Sequence, residues 1–356
     1  MKILAAASAF PEHYCPQADA TAALIETWGD RLSSPDALRR IHSRAQVDGR
    51  YLALPLEAYP ALKNWGEANK VWMRVAEKIG SDALCRAATK AGISSHDIDA
   101  LFFVSITGVS SPSMDAKIIN RLHLNPHMRR VPIFGLGCVA GAAGLSQAAD
   151  YVRAYPERIA ALVSVELCTL TMQYDDLSMA NLISTGLFGD GAAAVLVAGA
   201  ERALPGVEHG PSGPEIVATR SVFYPDTEDV MGWDVSERGF RIVLSPGVPE
   251  IIGQHLRRDM DAFLADHDLT RSDIGCWVMH TGGPKVLQAT QEALEVDREA
   301  LAASWDCLRR MGNLSSASVL IVLEEIMTRR RPAPGTWSVL AAMGPGFCCE
   351  MLLLRW

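Results

Sequence analysis

The 356-residue sequence has no block of basic residues, no long apolar run and no short-period repeat. Its 33 Lys and Arg residues are scattered and the formal net charge is −8, which argues against a surface that follows nucleic-acid phosphates. Without a run near the ~20 apolar residues of a membrane helix, no membrane span is expected. The absence of a period of about 20–50 residues excludes a solenoid.

What remains is the composition of a globular protein with a large core, 49% hydrophobic and 21% charged. The length alone predicts two domains or one large α/β unit. The opening letters MKILAAASAF are interpreted as a first β-strand, because the apolar stretch is at the short end for a signal peptide.

The eight cysteines include no Cys-x-x-Cys pair, and several lie inside apolar runs, where cysteine is usually a small buried hydrophobe. A disulfide scaffold is therefore not expected in so long a chain, and a reducing cytoplasm is predicted. His123 and His127 are four residues apart, but Pro126 breaks the helix that a metal pair would need. Neither a metal site nor a cofactor is predicted.

Two pairs of segments echo each other along the chain. The stretch ISSHDIDALFFVSITG (93–108) resembles LTRSDIGCWVMHTGG (269–283), and GLGCVAGAAGL resembles RMGNLSSASVL. The two matches share the same offset to within one residue, which indicates a duplicated fold. The loop 203–215, rich in proline and glycine, is a plausible boundary between halves 1–205 and 206–356.

Each half shows strand patterns that alternate with helix patterns. Such alternation predicts an α/β fold built from βαβ units, with a mostly parallel sheet in each half. Helices are predicted at 139–154 and 314–330. Strands are predicted at 101–105, 159–165, 192–198, 276–280, 337–342 and 349–354.

The stretch VPIFGLGCVAGAAGLSQAAD (131–150) places Cys138 between an apolar strand and a helix, with glycines on both sides. A cysteine at a helix N-terminus feels the positive end of the helix dipole, which is expected to lower its pKa. Gly137 would allow a sharp turn, and Gly141 and Gly144 would allow close packing. The pattern predicts an exposed nucleophile, with a buried structural cysteine as the alternative.

Two residues in the second half are candidate partners of this thiol. His280 ends the apolar run CWVMH, so a strand would deliver it to the sheet edge where catalytic groups collect. Asn313 follows Gly312 and occupies the counterpart position of Cys138. We therefore expect a thiol, an imidazole and a carboxamide to converge from three strand ends.

Five segments in this order resemble the signature segments of type III polyketide synthases, the chalcone-synthase-like enzymes. They are GLGCVAGAAG, LFGDGAAAVLVAG, HTGGPKVL, MGNLSSASVL and GPGFCCEMLLLRW. The resemblance implies a thiolase fold, in which duplicated αβαβα halves form a five-layered core. It also implies a homodimer, acyl-CoA and malonyl-CoA substrates, and decarboxylative condensation followed by cyclisation to a pyrone, a resorcinol or a related aromatic polyketide.

Site residues follow from the same resemblance. Cys138 matches the acyl-accepting nucleophile, and His280 with Asn313 matches the pair that decarboxylates malonyl-CoA. The resemblance places Met114 where a side chain reaches into the partner subunit's cavity. The substrate-binding positions that it implies are Phe188, Trp233, Ile242, Cys168, Thr171, Met114, Pro345 and Gly346.

Coenzyme A is expected to be bound by Arg40, Arg44, Gly282 and Lys285. Arg40 and Arg44 are i, i+4 neighbours on one predicted helix face, and a solvated charged face is the alternative. Ala37 replaces a family lysine.

Trp233 stands where plant chalcone synthases carry a small glycine. If its indole fills the cavity, we expect a short tri- or tetraketide product.

Two other enzyme classes are compatible with parts of the pattern. An initiating β-ketoacyl carrier-protein synthase shares the fold and the three groups, but its His and Asn lie in a different sequence context. A papain-like protease would match the separation of Cys138 and His280, within about 130–150 residues, but the sequence around its cysteine is absent. A non-enzymatic scaffold would leave the three groups without a role.

Overall fold

Thirteen strands form the framework of the part of the chain that the structure describes. The computed structural model describes residues 1–203 and 213–356, so the predicted boundary loop lies mostly outside the described residues. The strands are β1 (Lys2–Ala9), β2 (His13–Pro16), β3 (Gly49–Leu52), β4 (Ala100–Val104), β5 (Arg129–Ile133), β6 (Ile159–Leu167), β7 (Asp190–Ala198), β8 (Glu215–Phe223), β9 (Met231–Ser236), β10 (Gly239–Leu244), β11 (Ile274–Met279), β12 (Trp337–Gly344) and β13 (Cys348–Arg355).

Ten α-helices accompany them in the described residues. They are α1 (Gln17–Trp28), α2 (Pro35–Arg44), α3 (Trp65–Ala91), α4 (Met114–Leu122), α5 (Ala140–Ala154), α6 (Met179–Leu187), α7 (Val248–Ala265), α8 (Pro284–Leu294), α9 (Ala302–Met311) and α10 (Ala317–Arg329). The helices and strands predicted from the sequence are all present, with ends shifted by a few residues.

The two halves repeat one strand order. In the first half β4 pairs parallel with β6, and then β7 and β1 follow antiparallel. In the second half β11 pairs parallel with β12, and β13 and β8 follow antiparallel. A single residue pair, Lys2 with Glu215, links β1 to β8 and joins both halves in one sheet. The predicted duplication is confirmed.

The prediction of a mostly parallel sheet in each half is wrong. A parallel connection needs a long crossover, whereas antiparallel strands can be joined by a short turn. Strands β12 and β13 are separated by the turn Pro345–Gly346–Phe347 and are antiparallel. Strands β6 and β7 are antiparallel as well, although the helix α6 lies between them. Alternation of strand and helix patterns did not reveal these directions.

Three apolar clusters divide the molecule into five layers. The middle cluster packs α5 and α10 between the two halves of the sheet. A second cluster packs α3 and α4 on the outer face of the first half, and a third packs α7 and α8 on the outer face of the second half. This is the five-layered thiolase arrangement expected from the sequence.

Small residues let the two central helices approach each other. A Cβ atom on Gly141 of α5 would lie 2.1 Å from the carbonyl oxygen of Ser316, and one on Gly144 would lie 2.7 Å from the Leu162 side chain. The close packing predicted for these two glycines is therefore confirmed. It brings the N-terminus of α5 beside the segment that precedes α10, where the site forms.

None of the described helices combines the length and apolar character that a membrane crossing requires.

Candidate active site

The turn that carries Cys138 depends on glycine. After β5 ends at Ile133, Gly135 and Gly137 adopt φ values of +97° and +55°, and a 3-10 turn over 137–139 leads into α5. A Cβ atom on Gly137 would lie 2.5 Å from the Pro345 side chain. The strand–turn–helix geometry predicted from the sequence is confirmed, and it presses the β12–β13 turn against the backbone of Cys138.

His280 and Asn313 are positioned by the second half. His280 directly follows β11, and its backbone N–H donates to Ala341 O at 3.1 Å. Asn313 follows Gly312, which has a φ of +75° and lies against the carbonyl of Leu187. Asn313 therefore sits between α9 and α10, so the expectation that it lies at a strand end is wrong.

A chain of contacts connects the three groups. The sulfur of Cys138 lies 3.5 Å from Ser315 Oγ, and Ser315 N donates to Asn313 Oδ1 at 2.8 Å. Asn313 Nδ2 donates to Gly282 O at 3.4 Å, and Gly282 N donates to His280 O at 3.0 Å. The side chains of Cys138 and Asn313 thus belong to one cluster, and the backbone of His280 is joined to it through Gly282.

Burial makes both titratable members of this cluster neutral. It raises the pKa of Cys138 to about 11, which the Ser315 hydrogen bond opposes and the nearby Glu166 carboxylate reinforces. Burial also lowers the pKa of His280 to about 4. The predicted lowering of the Cys138 pKa is therefore wrong, since a helix end contributes only about 0.3–1 kcal/mol. Both ring nitrogens of His280 are without a hydrogen-bond partner among the described residues.

A cavity of about 590 Å³ lies beside this cluster. Five predicted substrate-binding residues line it, namely Cys168, Thr171, Phe188, Trp233 and Ile242. Cys138, His280 and Asn313 do not line it, but Phe188, which does, forms a backbone bridge with Asn313. Such a volume is typical of a small-molecule site.

Comparison with known proteins identifies the family. Residues 1–201 match the family described as "Chalcone and stilbene synthases, N-terminal domain", and residues 215–356 match its C-terminal domain. The chain belongs to the chalcone and stilbene synthase family. It is a type III polyketide synthase, an acyltransferase that uses acyl-CoA and malonyl-CoA, and the protease and carrier-protein alternatives are not favoured.

Bacterial members of the family are similar over nearly the whole chain. A 1,3,6,8-tetrahydroxynaphthalene synthase from Streptomyces peucetius subsp. caesius is 47% identical, over 99% of this chain and 93% of its own. An alpha-pyrone synthesis polyketide synthase-like protein from Mycobacterium tuberculosis is 30% identical, over 98% and 89%. The crystal structure of the Streptomyces coelicolor tetrahydroxynaphthalene synthase has a TM-score of 0.93 and 31% identity, over 100% of this chain and 99% of its own.

Pro345 and Gly346 lie outside the cavity lining, in the turn that packs on the nucleophile segment. Pro345 touches Gly137, and Gly346 has a φ of +70° with Phe223 beside it. Their position supports a role in shaping the neighbourhood of Cys138 rather than the far cavity wall.

The prediction for Met114 is wrong. At the start of α4 this side chain is 1% exposed and packs in the core of its own chain with Ile118 and Ile79. A residue buried in this way cannot extend into the cavity of a partner subunit.

The residues expected to bind CoA lie on two elements. Arg40 and Arg44 are exposed near the end of α2, while Lys285 is exposed in the first turn of α8. Gly282 lies beside Asn313, because its carbonyl accepts the hydrogen bond from Asn313 Nδ2. Among the described residues, no cluster of side chains is suited to hold a metal ion.

Sequence reasoning missed two residues of the site. Ser315 contacts Cys138. It lies in the segment MGNLSSASVL, two residues after Asn313, and that short spacing was the available sequence signal. Glu166 is fully buried and accepts hydrogen bonds from Ile106 N at 3.1 Å and Thr107 Oγ1 at 2.9 Å, and burial raises its pKa to about 7. The sequence signal for Glu166 was a single carboxylate residue within an apolar strand.

Proposed function

We propose that this type III polyketide synthase builds its chain on Cys138 and uses His280 with Asn313 to decarboxylate malonyl-CoA. The observation that carries the proposal is the contact chain from Cys138 through Ser315, Asn313 and Gly282 to His280, set beside a cavity of about 590 Å³. A thiol, an imidazole and a carboxamide next to a cavity fit acyl transfer through a covalent intermediate.

The loading step requires a group that accepts the proton of the neutral Cys138 thiol. A neutral imidazole can accept the thiol proton as the sulfur attacks the carbonyl carbon of the starter thioester. The new S–C bond forms, the bond to the CoA sulfur breaks, and the departing CoA thiolate takes the proton back from His280. Cys138 therefore needs no standing negative charge in its buried setting.

The orientation of Asn313 suits the decarboxylation step. Its Oδ1 accepts hydrogen bonds from Ser315 N at 2.8 Å and Ser318 Oγ at 3.4 Å, which directs the NH₂ group the other way. The C–C bond of the malonyl group breaks, CO₂ leaves, and the electron pair moves onto the thioester oxygen as an enolate. N–H donors from Asn313 and His280 stabilise that oxyanion.

Condensation then frees the sulfur of Cys138 for another round. The enolate carbon attacks the acyl carbon on Cys138, a C–C bond forms, and the C–S bond to the enzyme breaks. The lengthened chain is now a CoA thioester, and transfer back to Cys138 begins another round.

For the product we propose an aromatic polyketide of the naphthalene type. Three relatives that match 90% or more of this chain are named as 1,3,6,8-tetrahydroxynaphthalene synthases. A naphthalene skeleton has ten carbons, which is the carbon count of five two-carbon units. The shorter tri- or tetraketide was expected on the premise that Trp233 fills the cavity, but the indole forms part of a wall beside about 590 Å³ of space.

The proposal includes the setting of the enzyme. We place Arg40, Arg44 and Lys285 around the CoA phosphates because they are exposed cations on the surface. A homodimer and a cytoplasmic location are proposed from the family resemblance and, for the location, from eight cysteines that are all free.

The function is tested by giving the purified enzyme malonyl-CoA with no carrier protein. We expect CoA release together with a ten-carbon aromatic product, identified by mass spectrometry. Turnover that depends on an added acyl carrier protein would instead favour an initiating β-ketoacyl synthase, and a tri- or tetraketide as sole product would overturn the naphthalene assignment.

The CoA assignment predicts a change in KM. Arg40→Ala and Arg44→Ala are each expected to raise the KM for malonyl-CoA about two- to fivefold, the size of an exposed charge pair, and to leave kcat unchanged. Arg39→Ala is the matched control, because Arg39 is an exposed residue of the same helix that pairs with Asp36 at 2.9 Å. Equal KM values for all three variants would remove the arginines from the CoA site.

Trp233 is predicted to limit the size of the product. Its ring is half-buried, packs on Phe240 at 5.9 Å and lies on β9 opposite Ile242 of β10. Trp233→Gly should favour more extensions or bulkier starters, at a stability cost below the about 3–5 kcal/mol of a fully buried aromatic. Trp65→Gly is the control, because Trp65 packs on Phe240 at 5.6 Å but does not line the cavity. An unchanged product profile with every starter would exclude Trp233.

A further inference from the structure

The hydroxyl of Tyr59 is positioned by a series of hydrogen bonds that leads into the protein interior. Tyr59 and Thr169 both line the cavity, and their hydroxyl oxygens are 2.5 Å apart. Thr169 Oγ1 in turn donates to Asp190 Oδ2 at 2.5 Å, and Asp190 also accepts from the backbone N–H of Ala53 at 2.7 Å. The carboxyl group of Asp190 is fully buried, so this series of hydrogen bonds ends at a fixed group inside the protein.

A second phenol lies in the same cavity without such a chain. Tyr174 lines the cavity, and its hydroxyl has no hydrogen-bond partner among the residues that the structure describes. Its phenol also makes a small contribution to the raised pKa of Tyr59, after burial and Asp190. Burial raises the pKa of both tyrosines well above the usual range, so both are O–H donors at neutral pH.

Several other polar side chains in the cavity donate to protein acceptors, although Arg50 Nε has no partner among the described residues. Thr171 Oγ1 donates to Cys168 O at 2.7 Å, and Ser184 Oγ donates to Asn181 O at 2.8 Å. Asn181 Nδ2 donates to two backbone carbonyls, and the Arg50 guanidinium donates to Thr185 O and Phe188 O at 2.8 Å each. Tyr174 presents an O–H that no described residue occupies, whereas the O–H of Tyr59 is held by Thr169.

We propose that Tyr59 and Tyr174 form a binding site for the oxygens of the growing poly-β-keto chain, which we call the two-phenol site. The proposal rests on the proposed function, since it requires the chain to grow from Cys138 into this cavity. Tyr59 and Tyr174 contact the chain, while Thr169 and Asp190 position the Tyr59 hydroxyl. By holding oxygens distant from the thioester, the site determines how the chain is folded before the ring closes.

The chemistry of the ligand fits two hydroxyls on the wall of one cavity. A poly-β-keto chain carries oxygens on alternate carbons, so adjacent oxygens are separated by a short, fixed spacing. Each ketone accepts a hydrogen bond, and each enol tautomer can also donate one. Tyr174 can donate its O–H to a ketone. Tyr59 donates to Thr169 and accepts from Leu54 N at 3.4 Å, so only its remaining lone pair can accept from an enol O–H. The cavity thus offers contacts to both a keto and an enol oxygen.

The test compares Tyr174→Phe and Tyr59→Phe with the wild type, using malonyl-CoA as the only substrate. Each variant removes one hydroxyl and keeps the ring. Tyr155→Phe is the control, since Tyr155 packs on Tyr151 at 5.0 Å away from the cavity lining. Three quantities are measured: CoA release, the ratio of aromatic product to prematurely released lactones, and the Tm.

In both cavity variants the ratio of aromatic product to lactones should fall about two- to tenfold, which corresponds to losing one hydrogen bond. CoA release should stay within about twofold of wild type in Tyr155→Phe, because Tyr155 does not line the cavity. Tyr155→Phe should leave the ratio unchanged. An unchanged ratio in both cavity variants, with Tm and CoA release preserved, would overturn the two-phenol site. Failure of the wild type to release CoA would instead refute the proposed function, and the two-phenol site with it.

Discussion

Cys138→Ala is expected to abolish polyketide formation while a slow decarboxylation of malonyl-CoA remains. Without the thiol no acyl enzyme forms, and loss of a covalent nucleophile reduces turnover by a factor of at least about a thousand. His280 and Asn313 are untouched by the change, so the enolate of malonyl-CoA can still be stabilised and then protonated. Release of labelled CO₂ and of acetyl-CoA, measured beside polyketide yield, separates the two activities.

The control for this variant is Cys85→Ala. Cys85 is a free, exposed cysteine on α3, far along the chain from the active-site turn. It should behave as the wild type in both assays. Full-length polyketide from Cys138→Ala would show that another group is the nucleophile.

Asn313→Ala is expected to lose decarboxylation and condensation together. One oxyanion donor is worth a factor of about 10²–10³ in kcat, and both steps pass through the same enolate. Asn313→Asp is the informative companion, because its oxygen can still accept the hydrogen bond that Ser315 N makes at 2.8 Å while it offers no N–H donor.

Both Asn313 variants should therefore fail in the decarboxylation assay, and Asn313→Asp should keep the Tm closer to that of the wild type. If Asn313→Asp decarboxylated malonyl-CoA at the wild-type rate, the carboxamide would have a structural role only. Acyl loading of Cys138 from a starter CoA should survive in both, since that step uses the thiol and His280.

The local geometry around Cys138 could be predicted from the sequence, because its backbone conformation requires glycine at specific positions. Gly137 is required by its φ of +55° and by contact with Pro345, and Gly141 by the approach of the Ser316 carbonyl. The duplication was readable because equivalent strands carry equivalent polar ends. Both features are determined by short segments of the sequence.

Features that depend on packing between segments far apart in the chain could not be predicted from the sequence. Strand direction in the sheet depends on how connections cross, and the pKa of Cys138 depends on burial by segments from both halves. Met114 lies in a recognisable segment, but the orientation of α4 turns its side chain into the core. Tyr59 and Tyr174 come from separate parts of the chain, and only the fold brings them to one cavity.

The central claim is that Cys138 carries the growing chain, and trapping the intermediate tests it most directly. The wild-type enzyme is mixed briefly with malonyl-CoA, quenched in acid and digested, and the peptides of all eight cysteines are examined by mass spectrometry. We predict acyl and polyketide thioesters on the peptide that contains Cys138. Thioesters confined to another cysteine such as Cys168, or no covalent intermediate during active turnover, would contradict the account.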